Sequence, residues 1–155
     1  MRKRCLRYVI FAFVLSVTTS LSASAQTSFS GLVSGRELCE QAVCGSAIFV
    51  AGFAGEIDGR QAVGLAVGSI RHTALPQGPG ECATIVGGSW SVNTLRRTLA
   101  GNVEPGTGTV CYIDGVRYLV SMTMNIVQGG TGQAKFNAVL DHGPFPPTIR
   151  GAITQ

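Results

Sequence analysis

The stretch Ser46–His72, SAIFVAGFAGEIDGRQAVGLAVGSIRH, decides the fold of this chain. Asp58-Gly59 divides it into two apolar runs, a pattern that predicts a β-hairpin because a type I′ turn needs positive φ at both of its central residues. A two-residue loop fixes the register of the two strands. That register places two aromatic rings over glycines, an arrangement that protects glycine in curved sheets: Phe53 lies opposite Gly64 and Phe49 opposite Gly68.

A second Asp-Gly, at Asp114-Gly115, separates the apolar runs at 107–113 and 116–127. The same turn geometry sets Cys111 opposite Tyr118. The strand after the turn alternates apolar and polar residues, as a strand with one buried face does. Because Cys111 falls on the apolar face, we expect its disulfide to be buried.

The rest of the chain from residue 46 also has the pattern of short strands joined by turns. We expect two strands within 83–100, with a break near 90–93, one strand over 133–142 and a last one over 148–154. The total is seven or eight strands, each beside its neighbour in the chain. This count predicts an all-β fold, a seven- or eight-stranded antiparallel up-and-down barrel over 46–155, with a β-sandwich as the alternative.

Residues 26–45 precede the predicted barrel as a leader and a short helix. The segment 26–33 is rich in Ser and Thr, and we expect it to be loose. Ser34 stands three residues before Glu37, which is a capping-box pattern typical of a helix N-terminus. The spacing predicts a helix over 35–43.

The first 25 residues have the three parts of a secretory signal peptide. Tyr8–Val17 is an apolar run well short of the ~20 residues of a membrane span, and Ala23-Ser24-Ala25 is a small-residue cleavage site before Gln26. Cys5 precedes the apolar run, whereas a lipid anchor needs a Cys after it. We therefore expect a secreted or periplasmic chain with no stable membrane insertion after cleavage. The positive n-region consists of Arg2, Lys3, Arg4 and Arg7.

Removal of the signal peptide also removes the apparent positive charge. Four of the 12 Lys and Arg residues lie in residues 1–25, which leaves eight basic against eight acidic side chains. A nucleic-acid interface needs a stripe of basic residues that releases counterions from the phosphate backbone. The mature chain has one Lys and one adjacent basic pair, Arg96-Arg97, so we expect no nucleic-acid partner.

Four cysteines remain in the mature chain, and an even number in an exported protein predicts two disulfides. Three pairings are possible, and the sequence does not choose among them. On the predicted helix Cys39 and Cys44 would not share a face, so each is expected to reach a strand rather than to pair with the other. A zinc site is the alternative, but only one close pair of cysteines is present. The four are Cys39, Cys44, Cys82 and Cys111.

The segment Ile126–Phe136, IVQGGTGQAKF, contains the turn Gly129-Gly130-Thr131-Gly132 followed by an aromatic residue. This segment resembles the late hairpin of the allene oxide cyclase and dirigent barrels. The resemblance implies an eight-stranded barrel with a central cavity, often in trimers or dimers. The chain departs from those families in its four mature cysteines and in lacking a recognisable copy of their pocket residues, so only the architecture carries over.

The sequence shows no arrangement of residues typical of a catalytic, metal or cofactor site. His72 and His142 lie at strand ends. Because neighbouring side chains of a strand point to opposite faces, Asp141-His142 is interpreted as a pair at the surface or rim. Asp58 and Asp114 are explained as turn formers. We therefore predict no catalytic residue, no metal ligand and no cofactor.

Bulky residues at inward-facing strand positions are the candidates for a ligand site. They line a cavity if the barrel is hollow. They are core if the barrel is solid, as barrels of about eight strands often are. The five candidates are Phe49, Phe53, Tyr118, Met122 and Phe136.

These observations predict an exported, non-catalytic binding or interaction module for a small apolar ligand or for another protein. One alternative is a cofactor-free isomerase or cyclase, and another is a structural secreted subunit. A titratable cluster inside the barrel would favour the enzyme. An apolar interior would favour the binding module, and a filled interior would favour the structural role. The sequence leaves the oligomeric state open.

Overall fold

The computed structural model describes residues 25–38 and 46–155, and all regular secondary structure in these residues is β. None of the described residues forms a helix that could cross a membrane. The nine strands are β1 (Phe29–Leu38), β2 (Ser46–Ile57), β3 (Arg60–His72), β4 (Cys82–Thr94), β5 (Thr98–Val103), β6 (Gly108–Asp114), β7 (Arg117–Gln128), β8 (Gly132–Asp141) and β9 (Thr148–Thr154).

The strands form one closed antiparallel barrel with eight strand positions. Successive strands are neighbours, and β9 returns to pair with β1. β5 and β6 share one position, because both lie between β4 and β7, on either side of residues 104–107. The break between β4 and β5 falls at 95–97, later than the expected 90–93. The predicted seven- or eight-stranded antiparallel barrel is confirmed, with eight strand positions, and the β-sandwich alternative is wrong.

The β2–β3 hairpin has the register that its Asp-Gly turn predicts. Asp58 has φ 50° and Gly59 has φ 70°, the positive values of a type I′ turn. Phe53 and Phe49 face inward over a neighbouring strand of small residues, which leaves the rings room to cover the backbone. The observed pairs are Phe53 with Gly64 and Phe49 with Gly68.

The predicted loose leader is wrong over 29–33, and the predicted helix is wrong over 35–38. Phe29–Leu38 is strand β1, which pairs with β2 on one side and with β9 on the other. Its burial alternates with period two, and Phe29 and Val33 face the core. A β-carbon at Gly35 would collide with the backbone of Ala51, so this position needs glycine for close strand contact. Pairing with two strands that are distant in the sequence outweighs the local capping pattern. Residues 39–43 of the predicted helix lie outside the described residues.

The β6–β7 hairpin departs from its predicted register. Tyr112 pairs with Tyr118 and Asp114 with Arg117, with an irregularity in β6 between Tyr112 and Asp114. The loop therefore consists of Gly115 and Val116, and Gly115 does not have positive φ. The extra residue in β6 turns the side chains before it to the opposite face, as a β-bulge does.

This shift moves Cys111 to the outer face, where it forms a disulfide with Cys82. The two cysteines are cross-strand neighbours on β6 and β4. Cys82 is exposed and Cys111 half-buried, so the expected burial of this disulfide is wrong. Cys39 and Cys44 lie outside the described residues, and a second disulfide stays a prediction.

Each strand position runs from one end of the barrel to the other, and neighbouring strands run in opposite directions. The Asp58 end carries the β2–β3 turn with Asp58, together with Arg97 and Thr27. The Glu37 end carries Glu37 and His142, with the disulfide nearby. The two ends differ in chemistry, and this difference places the candidate site.

Candidate functional site

The interior of the barrel is closely packed by the side chains of the described residues. It retains an apolar void of about 50 Å³, whereas sites for small organic ligands measure about 300–1,000 Å³. Of the five predicted ligand residues, Phe49, Met122 and Phe136 line this void, and Phe53 and Tyr118 do not. All five are buried in one hydrophobic core. The structure therefore brings three of them together as core packing around a small void.

The other two predicted ligand residues lie in different surroundings. Phe53 packs against Phe29, with ring centroids 5.5 Å apart. Phe29 stacks in turn on Trp90 at 5.6 Å, so these three rings form one aromatic column inside the barrel. Tyr118 instead lies at the Glu37 end, where its ring centroid is 5.3 Å from that of His142.

The most unusual group in the core is the carboxylate of Glu37, which is 3% exposed. Its Oε2 lies 2.8 Å from Nε2 of His142. The alternation of β1 turns the Glu37 side chain inward, in phase with Phe29 and Val33. His142 directly follows β8 and reaches Glu37 from the rim. A buried carboxylate needs such a partner, since transfer of an unpaired charge out of water is costly.

Backbone hydrogen bonds hold both members of this pair. The N–H of Glu37 donates to the carbonyl of Pro147 at 2.9 Å, and the N–H of His142 donates to the carbonyl of Val116 at 2.8 Å. The Arg36 guanidinium donates to the carbonyl of Pro146, also at 2.9 Å. These bonds fasten the β8–β9 connection to β1 and to the β6–β7 loop. The positions of Glu37 and His142 are thus set by the barrel frame.

Aromatic side chains lie near His142 at the Glu37 end. Tyr118 lies against the imidazole, and Tyr112 meets Tyr118 edge-on with centroids 6.0 Å apart. Phe145, on the β8–β9 connection, is 98% exposed. His72 is at the same end, but its Nδ1 lies 2.6 Å from the carbonyl of Thr73. The site therefore combines one carboxylate–imidazole pair with aromatic surface.

The chemistry available at this pair is hydrogen bonding and proton exchange through the imidazole. Nε2 of His142 is engaged by Glu37, while Nδ1 has no hydrogen-bond partner among the described residues. The His142 side chain is 32% exposed, so a ligand can reach it. In the neutral form with the proton on Nε2, Nδ1 is an acceptor; in the charged form it is a donor. A carboxylate that orients an imidazole in this way is a common feature of binding and acid–base sites.

The Asp58 end is held by an ion pair. Asp58 accepts hydrogen bonds from Arg97 and from the backbone N–H of Ser28, the latter at 3.0 Å. The hydrogen bond from Arg97 and the smaller effect of Ser28 hold the pKa of Asp58 below its usual value. Arg97 also donates to the carbonyl of Gly129 at 2.6 Å. These contacts join the β2–β3 turn to β1 and to the β7–β8 connection.

Asp114 and Arg117 form a more local pair at the Glu37 end. Arg117 donates to Asp114 through Nε at 2.9 Å and through its backbone N–H at 3.2 Å. The side-chain hydrogen bond lowers the pKa of Asp114 and raises that of Arg117. Both side chains are largely in solvent, so the pair serves the turn and not the interior.

Sequence reasoning missed both members of the Glu37–His142 pair. The capping-box pattern places Glu37 at a helix N-terminus, and strand alternation places His142 at the surface or rim. The signal that identifies Glu37 is its spacing from Phe29 and Val33, which lie eight and four residues before it; in a strand these even spacings place all three on one face. His142 does lie at the rim, and its partner is 105 residues away in the sequence.

Within the described residues, no group of three or more His, Cys, Asp and Glu side chains is arranged to hold a metal ion. The site is therefore defined by the Glu37–His142 pair and its aromatic neighbours. Comparison with known proteins adds nothing to this description: no family model, no curated protein and no solved structure matches the chain.

Proposed function

We propose that the protein is an exported, non-catalytic binding module that holds a small ligand at the Glu37 end of the barrel. The void between the strands is too small for such a ligand. The Glu37 end, in contrast, presents a partly exposed imidazole against aromatic rings. The proposal therefore moves the ligand from the interior of the barrel to its rim.

The buried carboxylate of Glu37 is the observation that carries this proposal. An apolar residue at this inward position would fill the core without the desolvation penalty of a charge. Buried titratable groups with a specific partner in a partly open site are candidates for function. Glu37 meets this description, because it is 3% exposed and its partner His142 reaches solvent.

The surroundings define the class of ligand. A planar apolar ring can lie against the exposed ring of Phe145, while the buried ring of Tyr118 supports the imidazole of His142 from behind. A hydroxyl group on that ring can donate a hydrogen bond to Nδ1 of neutral His142. We therefore expect a small aromatic or similarly apolar alcohol or phenol.

Titration with p-cresol, followed by NMR, tests the proposal. We expect His142→Ala to raise the Kd of p-cresol about tenfold or more, which corresponds to ~1.4 kcal/mol. Glu37→Gln should weaken binding less, because the amide can still accept a hydrogen bond from Nε2. His72→Asn is the matched control, since His72 is a buried histidine at the same end and is bonded to its own backbone neighbour.

Two results would contradict this ligand site. One is binding of p-cresol that is equal in the wild type and in His142→Ala. The other is no binding by the wild type at any soluble concentration. The second result would favour the structural secreted subunit, for which a filled barrel is sufficient.

A cofactor-free isomerase or cyclase is the second candidate, because a carboxylate orients the imidazole of His142 as in a general base. Exchange of the α-protons of β-tetralone in deuterated water separates the two functions. An enzyme of this class would accelerate the exchange in the wild type and lose the effect in His142→Ala. The binding module predicts exchange at the rate of the buffer alone.

We also propose that the second disulfide joins Cys39 to Cys44. The expectation that Cys39 and Cys44 each bond to a strand cysteine is wrong, because Cys82 is bonded to Cys111. Cys39 and Cys44 are the cysteines that remain in the mature chain. The test is the intact mass of the exported protein after alkylation without reductant. The proposal predicts an N-terminus at Gln26 and no alkylated cysteine, and two alkylated cysteines would overturn it.

A further inference from the structure

The barrel has an open seam where β3 extends beyond β4. The β2–β3 pairing continues to Arg60, beside the turn. The β3–β4 pairing begins only at Gly64, opposite Thr94. In the part of the chain that the structure describes, Arg60–Val63 therefore has β2 on one side and no strand on the other.

The register identifies which backbone groups this edge presents. In a two-residue type I′ hairpin the residues that flank the loop, here Ile57 and Arg60, form a hydrogen-bonded pair. Hydrogen-bonded and non-bonded pairs then alternate along the strands. The N–H and C=O groups of Gln61 and Val63 consequently point away from β2, into the seam.

A groove of about 540 Å³ borders this edge, between residues 57–63 and 94–97. Three arginines and one aspartate line it, and the aspartate, Asp58, is paired with Arg97. The guanidinium groups of Arg60 and Arg96 are left to carry the positive charge of the groove. Leu95 is 99% exposed and Val63 is 66% exposed, so the groove also offers apolar surface.

We propose that this seam binds an extended acidic peptide segment of another protein by strand addition. The backbone groups of Gln61 and Val63 would pair with the peptide backbone, as in other cases of β-augmentation. Val63 and Leu95 would contact an apolar side chain of the peptide. Arg60 and Arg96 would pair with its carboxylates, since arginine binds carboxylates in a bidentate geometry.

The same features allow an opposite role. Proteins protect open strand edges by keeping them short and by placing charges on them. In that case Arg60 and Arg96 would repel other strands and bind nothing. The experiment below separates the two roles. Its outcome is independent of the ligand proposed at the Glu37 end, because the seam lies at the other end of the barrel.

The test is fluorescence anisotropy with a fluorescein-labelled peptide of sequence Glu-Val-Thr-Val-Glu. We expect the wild type to bind it more tightly at low salt than at high salt, because exposed charges are screened. The peptide Lys-Val-Thr-Val-Lys should bind at least about tenfold more weakly. Backbone amide signals of Gln61 and Val63 should shift in NMR spectra of the complex.

Two matched pairs of variants assign the interaction. Gln61→Pro removes an N–H that points into the seam and is not needed for pairing with β2, whereas Gln61→Ala keeps it. Arg96→Glu reverses a charge in the groove, and Arg150→Glu reverses one on the exposed outer face of β9. We expect Gln61→Pro and Arg96→Glu to weaken binding about tenfold or more, and both controls to leave it unchanged.

The proposal is overturned if the wild type does not bind the acidic peptide or binds the basic peptide equally well. It is also overturned if Gln61→Pro, shown by circular dichroism to be folded, binds like Gln61→Ala. Either result would assign Arg60 and Arg96 to protection of the edge.

Discussion

The two Asp-Gly turns of this barrel have the same sequence and different structures. Asp58-Gly59 forms the two-residue loop with positive φ at both residues, 50° and 70°. At Asp114-Gly115 the loop is moved one residue along, and Asp114 pairs with Arg117 across it. The same dipeptide therefore predicts where the chain turns, but not the register of the strands that follow.

The carboxylates of the two turns explain part of the difference. Asp58 bonds to Ser28 and Arg97, which are 30 and 39 residues away in the sequence. Asp114 bonds to Arg117, three residues away. The first turn is held by hydrogen bonds to residues distant in the sequence, whereas the aspartate of the second turn makes its hydrogen bonds within the turn. β6 also pairs with β4, to which the Cys82–Cys111 disulfide joins it, so contacts outside the second turn also act on its register.

The largest effect should come from the disulfide that holds the Asp114 turn region. Replacement of Cys82 and Cys111 by Ser should lower the free energy of unfolding by roughly 3–4 kcal/mol, because the loop constraint on the unfolded chain is lost; the sequence separation of the two cysteines is 29. Chemical denaturation measures this change. Hydrogen exchange should increase in β6 and in the start of β7 before it increases at the Asp58 turn. Unchanged stability would show that strand pairing alone fixes this region.

The glycines of the two turns should differ in their tolerance of a side chain. Gly59→Val should lower the free energy of unfolding by about 1–3 kcal/mol, because a β-branched residue resists positive φ. Gly115→Val should change it by less than about 0.5 kcal/mol, as at an ordinary surface position. Neither site is crowded: the nearest atom to a β-carbon at Gly115 would be the Tyr112 hydroxyl at 3.9 Å. Equal losses in thermal or denaturant unfolding would mean that the two turns share one geometry.

A smaller effect than that of Gly59→Val should come from Asp58. Hydrogen bonds from Arg97 and Ser28 lower the pKa of Asp58, so its contribution to stability is present above its ordinary pKa and is lost as pH falls through the lowered value. Because the side chain is 46% exposed, Asp58→Asn should cost less than about 1 kcal/mol near neutral pH. The difference in free energy of unfolding between Asp58→Asn and the wild type should disappear at acid pH. Urea unfolding at several pH values measures this difference. A difference that stayed constant with pH would contradict the stabilising role of the Asp58 carboxylate.

The sequence predicted the fold through its local signals. The Asp58-Gly59 turn identified a complete hairpin register, including the pairs Phe53–Gly64 and Phe49–Gly68. β1 was missed because Ser34 and Glu37 form a helix-capping pattern at short range. Its strand pairing depends on β2 and β9, which no local pattern reveals. The predicted count of seven or eight strands nevertheless includes the observed eight positions, since β1 adds a position while β5 and β6 share one.

The candidate site was less accessible from the sequence than the fold. The five bulky residues chosen for the interior are indeed buried, but only a void of about 50 Å³ separates three of them. How completely a barrel is filled depends on the sizes of side chains from all its strands together. Glu37 was missed because carboxylates are seldom buried without a partner. That partner, His142, becomes apparent only when β1 and the end of β8 are brought together.

The central claim is that the ligand site lies at the Glu37 end and not inside the barrel. NMR spectra of the protein with methyl-labelled methionine and labelled histidine, recorded during titration with p-cresol, test it directly. Met122 and Met124 line the interior void, and His142 marks the proposed site. We predict that the imidazole signals of His142 shift with saturation while the methyl signals of Met122 and Met124 stay in place. Shifts of the two methionines without a shift of His142 would contradict the account.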